Sequence, residues 1–194
     1  TGTNTATTTQ ETDGDGAQII EVTQSGANTV TVDQIESGTG STPSYHNKAT
    51  VSQTGSGNIA TVWQEETGGG NKGYNDATVI QVQTGAGPGN TASQKTLAPG
   101  SNSGEDVWVS QTGSANESDQ EITSGYTDFM KVTQDGESNK AKQKLAGSHT
   151  TATVNQLGDE NDAEQTMHGL NNRPVIDQQG DRNAAVQYSK GTWS

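Results

Sequence analysis

The sequence predicts an all-β fold: a β-solenoid of two-strand coils stacked as parallel in-register cross-β sheets, with about seven and a half repeats. Three observations predict it. A polar repeat recurs along nearly the whole chain, charged residues avoid alternate positions within each repeat, and large apolar side chains are scarce. A unit that recurs every 20 to 50 residues or so is typical of stacked architectures, because one unit cannot bury its own apolar face.

The repeat has four fixed positions: a Gln-x-Gly, an Asn, a small or β-branched residue two positions after that Asn, and a closing Gln. The first glutamines are Gln24, Gln53, Gln83, Gln111, Gln134, Gln156 and Gln178. The turn glycines are Gly26, Gly55, Gly85, Gly113, Gly136, Gly158 and Gly180. The asparagines are Asn28, Asn58, Asn90, Asn116, Asn139, Asn161 and Asn183. The closing glutamines are Gln34, Gln64, Gln94, Gln120, Gln143, Gln165 and Gln187.

These polar positions predict columns of amide side chains along the stacking axis. Gln and Asn each carry a donor and an acceptor, so stacked amides can hydrogen-bond from one coil to the next. The glycines supply a tight turn between the two strands of a coil, where a positive φ is easiest. We therefore expect the Gln, Asn and Gly columns to be the residues that carry the function.

Charged residues are distributed as a two-faced strand requires. The first Gln of each unit and the positions two and four residues before it hold no Asp, Glu, Lys or Arg, and neither do the Asn and the positions two, four and six residues after it. The interleaved positions hold many, for example Glu117, Lys140 and Asp162. Burying an unpaired charge is costly, whereas the outer face of a strand tolerates it.

The inward positions also predict two blocks of coils with slightly different columns. After Asn28 and Asn58, the fourth residue is Val and the sixth is Gln. After Asn116, Asn139 and Asn161, the fourth residue is Gln and the sixth is apolar. An amide and an apolar side chain have therefore exchanged places on one face.

The chain is predicted to have three parts. These are residues 1–16, an N-terminal half-repeat with an acidic turn; residues 17–188, seven repeats forming one solenoid; and residues 189–194, a C-terminal tail. Insertions at 35–48, 65–74 and 95–106 separate the first repeats, and the later repeats are compact. Successive Gln-x-Gly motifs begin 29, 30, 28, 23, 22 and 22 residues apart.

Outward charges predict the register of three adjacent coils. If each Asn stacks on the previous one, three rows of alternating sign form. The rows are Glu117–Lys140–Asp162, Asp119–Lys142–Glu164 and Glu121–Lys144. The alternative is a chance run of lysines on a solvated face. Opposite charges on neighbouring strands are favourable, and like charges repel.

Composition bounds the possible functions. Only 26% of the residues are hydrophobic and 4% aromatic, with a net charge of −13, a composition that alone would favour disorder. The pI near 4.4 argues against nucleic-acid binding, which needs a basic face. Cysteine is absent, and no apolar run approaches the roughly 20 residues of a membrane span. We find no signal peptide, so an exported chain would be the mature form.

The sequence predicts no enzyme, cofactor or metal site. His46, His149 and His168 lack the spacing of a metal motif and are expected to be solvated loop residues. Residues 13–16, Asp-Gly-Asp-Gly, faintly resemble an acidic Ca²⁺ turn but lack the later ligands. Carboxylates are spread over turns and outer faces, unlike the paired carboxylates of polysaccharide-cleaving enzymes.

The pattern Gln-x-Gly-x-x-Asn-x-Ala with a closing Gln resembles the curlin repeat of curli-type functional amyloid subunits. The resemblance runs from about Asn4 to Gln187, although the first repeats carry long insertions and no glycine-rich segment precedes them. It implies a secreted structural subunit that assembles head-to-tail into extracellular fibres of a biofilm or surface matrix. Its implied partners are further copies of itself, a nucleator subunit and secretion machinery, with no nucleic acid and no membrane insertion.

A non-polymerising β-solenoid is the alternative, either a surface adhesin or an ice-binding protein. Ice binding requires a flat Thr-x-Thr array on every coil. Thr29 and Thr31 suggest such an array, but Glu117 and Lys140 interrupt it. For a fibre, we expect the coil 178–187 of one subunit to cap the N-terminal half-coil of the next.

Overall fold

Fifteen short strands form two parallel sheets in the computed structural model, which describes residues 2–12, 18–37, 47–67, 74–98 and 104–191. The odd sheet contains β1 (Thr5–Thr12), β3 (Thr29–Ser37), β5 (Ile59–Thr67), β7 (Thr91–Ala98), β9 (Glu117–Ser124), β11 (Lys140–Ser148), β13 (Asp162–Leu170) and β15 (Ala184–Gly191). The even sheet contains β2 (Ile19–Ser25), β4 (Lys48–Thr54), β6 (Asp76–Gln83), β8 (Asp106–Ser114), β10 (Phe129–Glu137), β12 (Thr151–Leu157) and β14 (Val175–Gln179).

Each coil consists of an even strand followed by an odd strand, and every pairing within a sheet is parallel and joins strands two apart in the chain. This arrangement confirms the predicted all-β solenoid. Alternate side chains point between the sheets, as the burial of β4 and β5 shows. Short strands with one small, uncharged face cannot be stable alone, so the stack supplies both the backbone partners and the burial.

The core is a single narrow layer between the two sheets. In most coils it is filled by Ala and Val, such as Ala60 and Val62, which are fully buried. From β8 to β13 a second cluster adds larger side chains, including Ile122, Leu145 and Met167. Small residues therefore line the close approach of the sheets, and longer ones fill one side of the compact coils.

The predicted change between two blocks of coils is confirmed, and it lies between β5 and β7. Val62 pairs with Gln94, and Gln64 pairs with Thr96. On either side of this step, Gln stacks on Gln.

The strands extend into the segments expected to be insertions. β3, β5 and β7 continue past their closing glutamines, and β4 and β8 begin inside the predicted 35–48 and 95–106 segments. The backbone hydrogen bonds between adjacent strands continue past the closing glutamines wherever the strands of successive coils remain in register. The predicted turn 13–16 and His46 lie outside the described residues. At the other end, β15 runs through Gly191 into the predicted tail.

Two similar turns close each compact coil. At the first turn, Ser138, which precedes Asn139, has a φ of 58°. At the second turn, on the opposite side of the coil, His149, which precedes Thr150, has a φ of 56°. Sequence reasoning recognised only the first of these turns. The second has its own recurring glycine, seen at Gly147 and Gly169.

Candidate functional site

The first glutamines form a continuous column in the even sheet. From Gln24 to Gln156, each Nε2 donates to the Oε1 of the glutamine in the next coil at 2.8–2.9 Å, and Gln178 is the last acceptor. The same Nε2 also donates to a backbone carbonyl of the odd sheet, for example Gln53 to Thr29 at 3.2 Å. Because a carbonyl can only accept, this second bond fixes which way the amide points.

One predicted member of this column is wrong. Gln81, not Gln83, stacks between Gln53 and Gln111. Gln83 instead donates to the carbonyls of Gly85 and Gly87 within the longer turn of the third coil. Both glutamines lie on the same face by parity, so the Gln-x-Gly motif selected the one outside the ladder.

The closing glutamines form two columns in the odd sheet. The first is Gln10, Gln34 and Gln64, with Nε2–Oε1 distances of 3.1 and 2.7 Å. The second is Gln94, Gln120, Gln143, Gln165 and Gln187, with distances of 2.8–3.2 Å. They do not meet, because the step between β5 and β7 places Gln64 beside Thr96.

The asparagines form a column of opposite direction. Each backbone N–H from Asn28 to Asn183 donates to the Oδ1 of the previous asparagine at 3.0–3.1 Å. The side-chain Nδ2 adds a bond to the same Oδ1 in most coils, as in Asn58 to Asn28 at 3.0 Å. Donors therefore point towards the N-terminal end in this column and towards the C-terminal end in the glutamine columns.

The turn glycines stack closely in most coils. Gly136 and Gly158 have φ of 133° and 111°, and a Cβ on Gly136 would collide with the carbonyl oxygen of Gly158. Gly85 differs, since a Cβ there would meet nothing within 4 Å. The exception falls in the same coil as Gln83, whose turn is longer.

A second corner column was missed by the sequence reasoning. It contains Gln18, Asn47, Asn75, Glu105, Asp128, Thr150 and Asn172, each six residues before the even-sheet glutamine of its coil. This spacing was visible in the sequence. Two of the positions, Asn47 and Glu105, fall inside the predicted insertions 35–48 and 95–106. Asn75 Nδ2 donates to Asn47 Oδ1 at 2.9 Å, as in the first asparagine column.

Two members of this corner column are buried acids. Glu105 is fully buried and neither carboxylate oxygen has a hydrogen-bond partner among the described residues. Burial, and then the nearby Asp128 and Glu66, raise the pKa of Glu105 to about 8. Burial also raises the pKa of Asp128 to about 7, although one of its oxygens accepts the Thr150 N–H at 2.7 Å.

The outward charged rows have the predicted register. In the strand register, Lys140 of β11 lies opposite Glu117 of β9 and Asp162 of β13. Lys142 likewise lies opposite Asp119 and Glu164. Lys144 Nζ lies 2.9 Å from Glu121, and this hydrogen bond is the main reason why the pKa of Glu121 is lowered.

The two ends of the solenoid expose unpaired strand edges. In the described part of the chain, β1 and β2 end the stack on one side, and β14 and β15 end it on the other. At the second end, Val186 and Tyr188 are 79% and 63% exposed on the outer face of β15. A sheet edge is a template for another strand.

Over the described ranges, no cluster of three or more His, Asp or Glu side chains is placed to hold a metal ion. Those ranges also contain no helix long and apolar enough to cross a membrane.

Residues 47–72 match the family model of the curlin associated repeat. No curated protein and no solved structure matches the chain. The matched stretch contains β4, its glycine turn and β5, which together are one coil. The match supports a curli-like, amyloid-related subunit built on a structural repeat.

Proposed function

We propose that this chain is a structural subunit that assembles head-to-tail into extracellular curli-like amyloid fibres of a biofilm or surface matrix. The observation that carries the proposal is the direction of the amide columns at the two ends. The repeat match supports the same class of protein. A nucleator subunit and secretion machinery are further partners that such a subunit would use.

The ends are complementary to each other and not to themselves. At the C-terminal end of the odd sheet, Gln187 accepts from Gln165, which leaves an Nε2 hydrogen directed out of the stack. At the N-terminal end of the same sheet, Gln10 donates to Gln34, which directs its Oε1 outward. Donors therefore face acceptors only when the C-terminal end of one copy meets the N-terminal end of another.

The asparagine column gives the same polarity independently. Asn183 donates to Asn161, so its Oδ1 is directed out of the C-terminal end. At the other end, the backbone N–H of Asn4 occupies the same place in its coil as the N–H of Asn28, which donates to the Oδ1 of Asn4. The N–H of Asn4 is therefore directed out of the N-terminal end. Head-to-head contact would place acceptor against acceptor in one column and donor against donor in the other.

Among the described residues, no inward charge and no proline blocks the free side of the C-terminal edge. Inward charges, a proline or a covering loop usually protect such an edge. Pro174 lies beside β14, but it faces β12, where its carbonyl accepts the Thr153 N–H at 3.1 Å. The described part of the free edge remains able to pair.

Incubation of the purified chain over a range of concentrations tests the proposal. We expect unbranched fibres by electron microscopy, with loss of soluble chain above a critical concentration and faster growth after seeding with preformed fragments. A chain that remains monomeric by light scattering at high concentration, with or without seeds, would contradict it and favour a non-polymerising solenoid.

A further inference from the structure

Trp63 stands on the outer face of the odd sheet, in the interior strand β5. In the strand register it lies between Asp33 of β3 and Lys95 of β7. Thr61 and Glu65 share its face of β5, where Thr61 is exposed and Glu65 and Trp63 are half-buried. This face points away from both the core and the ends of the stack, so head-to-tail assembly does not use it.

An open groove lies beside the Trp63 ring. This Trp63 groove has a volume of about 350 Å³ and is lined chiefly by Thr61, Trp63 and Glu65 of β5 and by Ser93, Lys95 and Leu97 of β7. Sites for small ligands have volumes from about 300 Å³ upwards. The groove therefore has the size of a small-ligand site, and it combines an aromatic wall with hydroxyl, carboxylate and ammonium groups.

The Trp63 ring is held in one orientation by a hydrogen bond. Its Nε1 donates to the Oε2 of Glu65 at 3.3 Å, two residues further along the same face. An aromatic side chain offers a large contact area, and one that is already oriented loses little freedom when a ligand packs on it. Trp108, on the outer face of the even sheet, differs because the Nζ of Lys131 lies over its ring, 4.6 Å from the centroid.

We propose that the Trp63 groove binds a neutral polysaccharide built of β-1,4-linked pyranose rings. Such a ring carries its hydroxyls around the rim and presents a flat face of C–H bonds, which packs on an aromatic side chain. The hydroxyls of Thr61 and Ser93 and the ammonium of Lys95 supply hydrogen-bonding groups for the rim. This binding is separate from polymerisation and does not rest on the proposed function.

The charges around the groove favour a neutral ligand over an acidic one. Asp33 and Glu65 both adjoin Trp63 on the outer face. The ammonium of Lys95 lies 3.8 Å from the carboxylate of Glu121 and is therefore partly neutralised. An acidic polysaccharide would meet two carboxylates here, on a chain whose net charge is −13. Like charges at neighbouring positions repel.

A row of hydroxyls beside Trp63 favours an extended chain. Thr31, Thr61 and Ser93 lie side by side in register on three adjacent strands. Neighbouring strands are about 4.8 Å apart, so the row repeats at a step comparable to one sugar ring. The flat ribbon of a β-1,4-linked chain can follow this row along the stacking axis, whereas a coiled α-1,4-linked chain would leave it.

Titration calorimetry of the soluble full-length chain with cellohexaose, a β-1,4-linked glucose hexamer, tests the proposal. We expect saturable binding at one site, and Trp63→Ala should weaken it at least tenfold because the aromatic face is lost. Trp108→Ala is the matched control and should bind as wild type does. Glu65→Gln should also keep binding, since its amide oxygen still accepts the Trp63 N–H. The circular dichroism spectra of all variants should equal that of wild type.

A comparison of sugars on the wild-type chain tests the ligand class without any variant. Maltohexaose, the α-1,4-linked glucose hexamer, and a hexamer of galacturonic acid should both bind at least tenfold more weakly than cellohexaose. Chitohexaose, which bears an acetamido group on every ring, is the second neutral β-1,4-linked probe. Binding of either neutral hexamer supports the proposal, and the tighter one identifies the sugar.

Failure of both neutral β-1,4-linked hexamers to bind, or equal binding of the α-linked or the acidic hexamer, would overturn the proposal. Equal binding by wild type and Trp63→Ala would also overturn it. If fibres of Trp63→Ala bundle less than wild-type fibres by electron microscopy while hexamer binding is unchanged, the groove is a contact between copies and the proposal is wrong. Absence of fibres from every chain would contradict only the proposed function.

Discussion

Amide and carboxyl side chains share the second corner column, and the difference between them sets a pH response at the scale of single residues. Asn47 and Asn75 hydrogen-bond along the column, whereas Glu105 has no partner for its carboxylate among the described residues. An acid whose pKa is raised by folding binds its proton more tightly in the native state. Its contribution to stability is fully present below the unfolded pKa and is lost as pH rises through the folded value.

For Glu105 the pH window runs from about 4.5 to about 8. We expect the wild-type chain to lose stability across this window, and Glu105→Gln to remove part of the loss. At pH 9 the variant should be more stable by about 1–3 kcal/mol, because an unpartnered buried charge has been replaced by an amide. Denaturant unfolding at pH 5 and pH 9 measures the difference. The exposed Glu117→Gln is the control, and an identical pH slope in wild type and Glu105→Gln would contradict the account.

Substitution of an inward asparagine should lower the stability of the chain far more than substitution of an outward residue. In Asn139→Leu, the backbone N–H of Asn161 loses the Oδ1 acceptor that now lies 3.0 Å away. Each buried group left without a partner costs about 1–3 kcal/mol. Thr50→Leu, on the outer face, is the control and should change stability by less than about 0.5 kcal/mol. Similar losses in both variants by thermal unfolding would show that the face assignment is wrong.

At the scale of strands, the alternating rows on β9, β11 and β13 test the register. Reversing Lys140, Lys142 and Lys144 to Glu places like charges on adjacent strands. We expect a loss of about 1–3 kcal/mol at low salt, since each exposed neighbour pair contributes about 0.2–1 kcal/mol.

Added salt should shrink this loss, because it screens exposed charges. Changing the flanking acids to Lys in the same chain should recover much of it. Denaturant unfolding at about 20 mM and about 500 mM NaCl measures how much of the loss is electrostatic. A triple variant as stable as wild type at low salt would argue that the rows do not help to set the register.

Strand positions were predictable wherever the repeat was strict. The Asn column and the outward charge rows follow from spacing alone, because the side-chain period of a strand is two. Spacing could not choose between Gln81 and Gln83, since both have the same parity and the choice depends on how long the third turn is. Spacing also did not reveal the second corner column, to which Glu105 belongs. The residues of that column adjoin segments whose length varies from one repeat to the next.

At the scale of the whole molecule, the free edge of β15 should control growth. Asp162 of β13 donates its N–H to the carbonyl oxygen of Asn183, the residue before β15. The equivalent N–H groups of β15, including that of Val186, therefore face out of the stack. Val186→Pro removes one such donor without removing a bond to β13. We expect the variant to fold but to elongate seeds at least tenfold more slowly, as measured by thioflavin fluorescence. Val186→Thr is the matched control, and normal elongation by the proline variant would count against growth at this edge.

The central claim is that subunits continue the same parallel ladder from one copy to the next along the fibre axis. X-ray diffraction from aligned fibres tests it most directly. The account predicts a sharp meridional reflection at about 4.7–4.8 Å and an equatorial reflection near 10 Å from the spacing of the sheets. Fibres whose 4.7–4.8 Å reflection lies on the equator, or is missing, would show that the strands do not stack along the axis and would contradict the claim.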